Sequence, residues 1–562
     1  MKPKTTRAAW MLCMMLCMML GLLISNSSFA QRAPMHGNPG WFVDDWQPKK
    51  AKLPRHVERV AAPELSPDVH ASVDLAVPLT KVSKYIFGNN LGIWVNRSNV
   101  NKEEFLLPLR DMGISVIRYP GGNASNDFFW DASARAECPP GVPDTIWKNN
   151  GRQTPPKLGR QGNFKFSPEH YYELMMSTGS TGSVCVNYSY ALYGEEEDED
   201  VRVALAAKYA GDWVRHANVE NKLGIKFWEI GNENWGPWQA GYNVPGRGSI
   251  SPKKYGEHCR IFIEEMKAVD PSIKVGVVGY QKPKSNNPIQ KRWNEEVLPE
   301  VADVADYIIL HDYFTAFNAV LTPEEMFASV DTAYSHINVV NQAWSQTVGD
   351  SSMPLPIALT EFNTRSRATV SAMDGATNVS HSAGLFISHA LGEFIRQGYG
   401  SAMMWDISNG YADGEDHGVF ASPKERDVPE LTPHPSFYHY HLYHRCFGDT
   451  YHDAPTDHPQ VRVHASSFST GEAGLVILNG SNEPHVVEVE LNNMEEASAA
   501  YQYLVHNDDP LSRKTFINGV TGPHAAGGPE KYWKIPARSW KLATDKLVVS
   551  CPPFSANYIM VK

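Results

Sequence analysis

The sequence predicts an α/β protein in which eight parallel strands close into a (β/α)8 TIM barrel, followed by a C-terminal antiparallel β-sandwich. Three observations carry that prediction. Short apolar runs alternate with amphipathic helical patterns eight times between residues 85 and 446, the rhythm of parallel strands joined by helical crossovers. From Phe447 onward the pattern changes to strands separated by turn signals, as in a sandwich. A doubly wound sheet would share the alternation, but no G-x-G-x-x-G follows the first strand and there is no phosphate loop.

Residues 1–30 place Lys2, Lys4 and Arg7 before an apolar run from Ala8 to Ile24, then Ser28-Phe29-Ala30. This is the three-part layout of a secretory signal peptide, with cleavage expected after Ala30 and a secreted or periplasmic destination; a retained membrane anchor is the alternative. No later run approaches the roughly 20 apolar residues that span a bilayer. Residues 31–69 are Pro-rich without sustained periodicity and read as a leader that wraps or dangles. Residues 70–84 contain an alternating strand expected to join the sandwich.

The barrel, 85–446, is read from its apolar runs: YIFGNNLGIW (85–94), ISVIRYPGG (114–122), GSVCVNYSY (182–190), KFWEIGNE (226–233), KVGVVGY (274–280), ADYIILHDYF (305–314), PLPIALTEF (354–362) and GSAMMWDI (400–407). Helical patterns lie between them, one opening with Ser167 as a cap. The sandwich, 447–562, contains QVRVHASSF, GEAGLVILNG, HVVEVELNN, AAYQYLV and KLVVSCPPFSANYIMV. Five cysteines follow Ala30, none in a C-x-x-C pair; one or two disulfides are compatible with that count, and Cys185 reads as a small buried hydrophobe.

The chain carries a formal charge of −11, or −14 once the three cations of residues 1–30 are removed. That acidic balance gives no overall footprint for nucleic acid or anionic lipid. The acidic run Glu195–Asp200 lacks the spaced oxygen donors and glycine of a calcium loop and reads as a solvated face leading into a helix.

In such a barrel the chemistry gathers where the βα loops open, at the C-terminal ends of the strands. The second run ends in Arg118 and Asn123, the third contains Asn187, and the fourth ends Asn232-Glu233 before Trp235 and Trp238. The sixth ends in His311 and Tyr313, the seventh in Glu361, the eighth in Trp405. Two carboxylates ringed by amide, guanidinium, imidazole, phenol and indole groups suit glycosidic-bond cleavage, which needs an acid for the leaving oxygen and a second carboxylate at the anomeric carbon. Glu233 and Glu361 are the candidate catalytic pair. Arg118, Asn123, Asn187, Asn232, Trp235, Trp238, His311, Tyr313 and Trp405 are candidate substrate-binding groups. Glu229, two residues before Gly231 on the inward face, reads as a buried hydrogen-bonding residue. Arg118 is expected mainly to hold Glu361 ionised, with neutralisation of Glu229 as the alternative. Trp228 reads as core. His439, His441 and His444 are expected at the surface, and neither metal nor other cofactor is implied.

At IRYPGGN (117–123), WEIGNENWG (228–236), LHDYF (310–314) and Glu361, the chain resembles clan A glycoside hydrolases, most closely the family 51 α-L-arabinofuranosidases. That resemblance implies a polysaccharide or oligosaccharide substrate and a retaining double displacement. It makes Glu233 the acid/base, Glu361 the nucleophile, Arg118 and Tyr313 its hydrogen-bond donors, and Asn232 a contact to the sugar 2-hydroxyl. Asn123 corresponds to a sugar-binding residue of the subsite being cleaved. The chain departs from the family at Gly88-Asn89-Asn90-Leu91, where a furanose-gripping glutamate is usual, and at Thr360-Glu361-Phe362 in place of Asp-Glu-Trp. Endo-acting clan members on agar-type galactans or xylan share the same short motifs, and a catalytically silent sugar-binding barrel is the further alternative.

Overall fold

The computed structural model describes residues 35–562 except 149–151, 161–165, 283, 317–318, 365–374, 413, 426 and 495–496. The expected signal peptide lies outside the described residues, as do parts of the long loops after the second and seventh strands. The eight barrel strands are β1 (Gly88–Asn90), β2 (Val116–Tyr119), β3 (Thr181–Val186), β4 (Phe227–Ile230), β5 (Lys274–Val278), β6 (Tyr307–Asp312), β7 (Ile357–Phe362) and β8 (Ser401–Met404). Each overlaps one of the apolar runs, and only β3 begins outside its run, one residue early at Thr181. They pair in parallel, and β8 closes the barrel on β1 through Met403 against Gly88.

Continuous apolar sequence makes these strands because both faces are covered, by helices outside and by side chains within. The connecting helices begin where the chain supplies a cap. Ser167 accepts from the His170 amide ahead of Pro168–Thr178, and Asp198 accepts from the Asp200 and Val201 amides ahead of Glu199–Val214.

The barrel interior is layered by strand alternation. At the N-terminal end, Val116, Phe227, Tyr307, Ala358 and Met403 form an apolar layer with Tyr85. The leader completes it: Phe42 is buried against Phe227 and Tyr307, with ring centroids 5.6 Å away in both cases. Trp41 stacks on Phe42, and its Nε1 donates to the Asp306 carbonyl 2.9 Å away. The described leader therefore wraps, and it floors the barrel.

The C-terminal unit packs an eight-stranded sheet on a three-stranded one. Three segments preceding the barrel enter it, Thr80–Lys81 pairing antiparallel with Thr450 and Tyr451 at one edge of the larger sheet. Val57–Arg59 pairs in parallel with residues 537–539, and Val69–Asp74 pairs in parallel with residues 487–492. Their shared core includes Val69, Val73, Leu475, Ile477, Val487, Val489, Leu547 and Ile559.

Helix Pro435–Cys446 packs between barrel and sandwich, and this corrects the surface expectation for its histidines. His439 and His441 are buried and His444 is half-buried. His439 Nδ1 lies 2.7 Å from the Tyr558 hydroxyl, and burial holds its imidazole well below the usual range. The five cysteines among the described residues are free. Cys185 is buried in β3 and its thiol is pushed up to about 12 by burial, so it stays protonated.

Removing the Phe42 ring leaves a void that rigid barrel strands cannot close. Phe42→Ala is expected to cost about 3–5 kcal/mol of stability, read as a lower unfolding midpoint in denaturant.

Candidate active site

The mouth of the barrel is organised around Arg118, which strand alternation turns inward one layer above the apolar floor. It is fully buried and uses its whole fork. Nε donates to Glu229 Oε2 at 2.7 Å, Nη1 to Asn90 Oδ1 at 3.0 Å and to Glu361 Oε2 at 3.4 Å, and Nη2 to Asn232 Oδ1 at 2.9 Å. Ser183 Oγ satisfies the other Glu229 oxygen at 3.0 Å. Burial alone would lower the guanidinium pKa, but Glu229, with further help from Glu361, holds it above its ordinary value. The expected emphasis is thereby shifted: Glu229 is the closer partner, and Glu361 receives the longer contact.

Glu233 sits just past the end of β4 in a turn that is strained. Its φ is +44°, in the left-handed region that non-glycine residues avoid, and Gly231 precedes it at φ +79°. A side chain at Gly231 would collide with Asn234 Oδ1 at 2.2 Å. The turn is clamped in part by Asn126 and Gln239, which sequence reading missed. Asn126 Nδ2 donates to the Asn232 carbonyl at 2.6 Å and to Gln239 Oε1 at 2.8 Å. Gln239 Nε2 donates to Asn123 Oδ1 at 2.6 Å and to Glu233 Oε2 at 3.2 Å. Trp238 Nε1 adds a donor to the same oxygen at 3.0 Å. The only hint in the sequence is the density of amides in the loops after β2 and β4.

Glu361 is placed by an irregularity. Pairing of β6 with β7 runs Leu310 to Leu359 and then His311 to Glu361, so β7 carries an extra residue there. Such a bulge re-aims a side chain without breaking the sheet. Both Thr360 and Glu361 consequently meet His311, whose Nε2 lies 3.1 Å from Thr360 Oγ1. Its Nδ1 lies 3.2 Å from Glu233 Oε1 and 3.6 Å from Glu361 Oε2, bridging the two carboxylates. The Tyr313 hydroxyl donates to Glu361 Oε1. Oxygens of Glu233 and Glu361 come within 4.8 Å of each other.

Burial raises the Glu361 carboxyl above the usual carboxylate range, and neighbouring Glu233 adds to that push; His311, Arg118 and Tyr313 oppose it. Asp406 lies beyond Trp405, and its carboxyl is raised well above the usual range by burial and then by Asp416 and Glu361.

These groups face a cleft of about 660 Å³ lined by Asn123, Trp235, Trp238, Tyr280, Tyr313 and Trp405 among others. Trp238 stands 44% exposed at the rim, whereas Trp235 is buried beneath it, edge-on at 5.6 Å. Trp405 lies so close to Gly122 that a Cβ there would fall 2.5 Å from the indole. Asn187 does not reach the cleft. Its Nδ2 donates to Tyr193 Oη at 2.8 Å and to the Phe128 carbonyl, and its Oδ1 accepts from the Tyr190 amide, so it ties the β3 loop down. Trp228 is buried core.

Among the described residues, two trios of side chains are close enough to hold a metal ion: Glu233, His311 and Glu361 in the mouth, and His389, Glu393 and His464 between barrel and sandwich. In the second, His389 Nε2 already faces Asp331 Oδ1 at 3.0 Å, and both Glu393 oxygens accept from Arg396. Those contacts account for it as a structural relay.

No protein-family model matches the chain. The intracellular exo-alpha-(1->5)-L-arabinofuranosidase of Acetivibrio thermocellus is 28% identical over 211 residues, 37% of this chain and 37% of that protein. The enzyme of the same name from Streptomyces lividans is 24% identical over 286 residues, 49% of this chain and 39% of that protein. The similarity thus spans well under half the length of these relatives. Among solved structures, the thermostable family 51 α-L-arabinofuranosidase of Thermotoga petrophila superposes with a TM-score of 0.63 at 17% identity, covering 88% of this chain and all of that one. A Paenibacillus polymyxa family 44 xyloglucanase superposes with a TM-score of 0.56 at 12% identity, covering 88% of this chain and 99% of that one.

Cutting the buried ion pair leaves Arg118 without its main counter-charge. Glu229→Gln is expected to lower stability by about 3–5 kcal/mol, measured by denaturant unfolding alongside the wild type. The chain thus has the fold of the clan A, family 51 arabinofuranosidases and is similar to curated arabinofuranosidases in sequence over part of its length.

Proposed function

We propose that this chain is an exported, retaining glycoside hydrolase of the α-L-arabinofuranosidase type, acting on plant or algal polysaccharide by double displacement. The observation that carries this reading is the pair of carboxylates on β4 and β7, with oxygens within 4.8 Å and a separate set of donors on each. Retaining glycosidases hold their carboxyl groups about 5–5.5 Å apart, whereas inverting enzymes leave room for a water between them.

Glu361 attacks the anomeric carbon while Glu233 gives its proton to the departing glycosidic oxygen, forming a glycosyl ester. Glu233, now a carboxylate, takes a proton from water as that water attacks the same carbon and Glu361 leaves. The fixed charge of Arg118 and the Tyr313 hydroxyl both favour ionised Glu361, the form that attacks, while Trp238 and Gln239 donate to Glu233 and orient it. The names of the curated relatives support an arabinofuranosyl substrate.

One observation favours an endo-glycanase as the second reading. Where the family offers a carboxylate at the end of β1, this chain has Asn90, whose Oδ1 accepts from Arg118 and whose Nδ2 donates to the Thr360 and Met403 carbonyls. The segment Gly88-Asn89-Asn90-Leu91 thus offers no acid to grip a furanose.

Incubation with arabinan, arabinoxylan, agar, porphyran and xylan separates the readings. Free arabinose supports the first, an oligosaccharide ladder the second, and release of nothing argues against hydrolysis. Glu361→Gln should lower kcat by at least about 10⁴-fold, and NMR of the first-formed product should show the starting anomeric configuration. N-terminal sequencing of protein recovered from the extracytoplasmic fraction should begin at Gln31 if export proceeds as proposed.

The pH profile follows from the site. Glu361 must be ionised to attack, and its carboxyl lies above the ordinary 4.5. Activity should therefore fall as pH drops through a point above 4.5. Tyr313→Phe removes a hydrogen bond that favours the carboxylate. The acid limb of kcat/KM should move to higher pH, with a loss at the optimum of about tenfold to hundredfold.

A further inference from the structure

A second cavity, of about 1000 Å³, lies between the leader, the end of helix Glu103–Asp111, the end of helix Pro435–Cys446 and Trp533. Both helices return from the mouth of the barrel, so their last turns sit at its opposite end. None of the residues lining this cavity lines the cleft.

Its charge is anomalous for a chain that is acidic overall. Six Lys and Arg side chains line it against one carboxylate, Asp111. Some of that charge is accounted for locally: Lys49 Nζ caps the His444 and Phe447 carbonyls, Arg110 pairs with Glu103, and Asp111 accepts from the Tyr532 hydroxyl at 2.7 Å. Lys50, Lys52 and Arg55 are exposed and form no ion pair among the described residues. Arg445 stands over the Tyr503 ring at 5.1 Å.

Two further features narrow the ligand. His441 is 94% buried; its Nδ1 faces the Asp111 carbonyl at 3.0 Å, so Nδ1 carries the proton and Nε2 presents a lone pair. That Nε2 is buried in the cavity wall with no hydrogen-bond partner, a costly state that a donor from a ligand would relieve. Burial keeps the ring neutral, pushed down to about 4. Trp533 offers its indole 41% exposed at the cavity edge.

We propose that this cavity is a second glycan-binding site, remote from the cleft, for an acidic polysaccharide bearing carboxylate or sulfate groups. The anionic substituents face Lys50, Lys52 and Arg55, a hydroxyl donates to His441 Nε2, and the C–H face of a sugar ring stacks on Trp533. A simple anion satisfies the cations alone, and a neutral sugar leaves them unanswered; an acidic sugar supplies all three contacts. The inference deepens the glycosidase reading by naming the character of the polymer, but it is tested by binding and needs no turnover.

The full chain is run in affinity electrophoresis at low salt through gels containing polygalacturonate, a sulfated galactan or neutral dextran, with polyphosphate, duplex DNA and phosphatidylglycerol vesicles as separate arms. Retention by at least one acidic glycan and not by dextran is expected. The double variant Lys52→Ala/Arg55→Ala and the single variant Trp533→Ala should each weaken it by at least about tenfold, with unchanged melting and unchanged turnover of a small aryl glycoside. Polygalacturonate against sulfated galactan tells carboxylate from sulfate. No retention by either acidic glycan overturns the proposal, as does retention unaffected by the Lys52/Arg55 variant. Binding of polyphosphate, DNA or vesicles as tight as that of the glycans, and insensitive to Trp533→Ala, identifies a plain polyanion patch and also overturns it.

Discussion

The buried pair of Arg118 and Glu229 is the contact on which the mouth of the barrel depends. Two opposite charges inside a closed barrel are tolerated only when their remaining donors and acceptors are met. Here Ser183, Asn90, Asn232 and Glu361 meet them. The same requirement fixes four strand ends relative to one another, because each partner is drawn to one planar fork. The arrangement also limits how much more negative charge the interior can hold. With Glu229 and Glu361 already on one guanidinium, burial and then Asp416 and Glu361 raise the Asp406 carboxyl well above the usual range.

Much of this was legible in the sequence, for physical reasons. Parallel strands covered on both faces must be continuous apolar runs, so all eight could be counted, and barrel geometry then converts the ends of those runs into a single site. What failed was local geometry with no periodic signal. The bulge that turns Glu361 toward His311 leaves no mark in Thr360-Glu361-Phe362. Asn187 looked like a ligand because its residue type and strand were right, yet its amide is occupied by loop contacts. The histidines of Pro435–Cys446 are expected at the surface because their spacing does not suit a helical metal site. The helix instead fills the seam between two units, where Tyr558 gives His439 a partner.

Net charge proved a coarse guide to surface chemistry. A formal charge of −11 describes the chain as a whole, but fields act over about 10 Å in ordinary salt, and what a ligand meets is the local set. The leader concentrates Lys49, Lys50, Lys52 and Arg55 within a few residues and lays them along one groove.

The path of that leader has a consequence for the order of folding. Its aromatic pair seals the base of a barrel built from residues 88–404, and Val57–Arg59 pairs with residues 537–539, some 480 positions further along. This leader thus acquires its last neighbours only after residues 537–539 have been made. Contacts so distant along the polypeptide bring little stability until the intervening loop is closed. The leader therefore acts as a late fastener: barrel and sandwich can each collapse around their own cores first, and the strap locks them into one body afterwards.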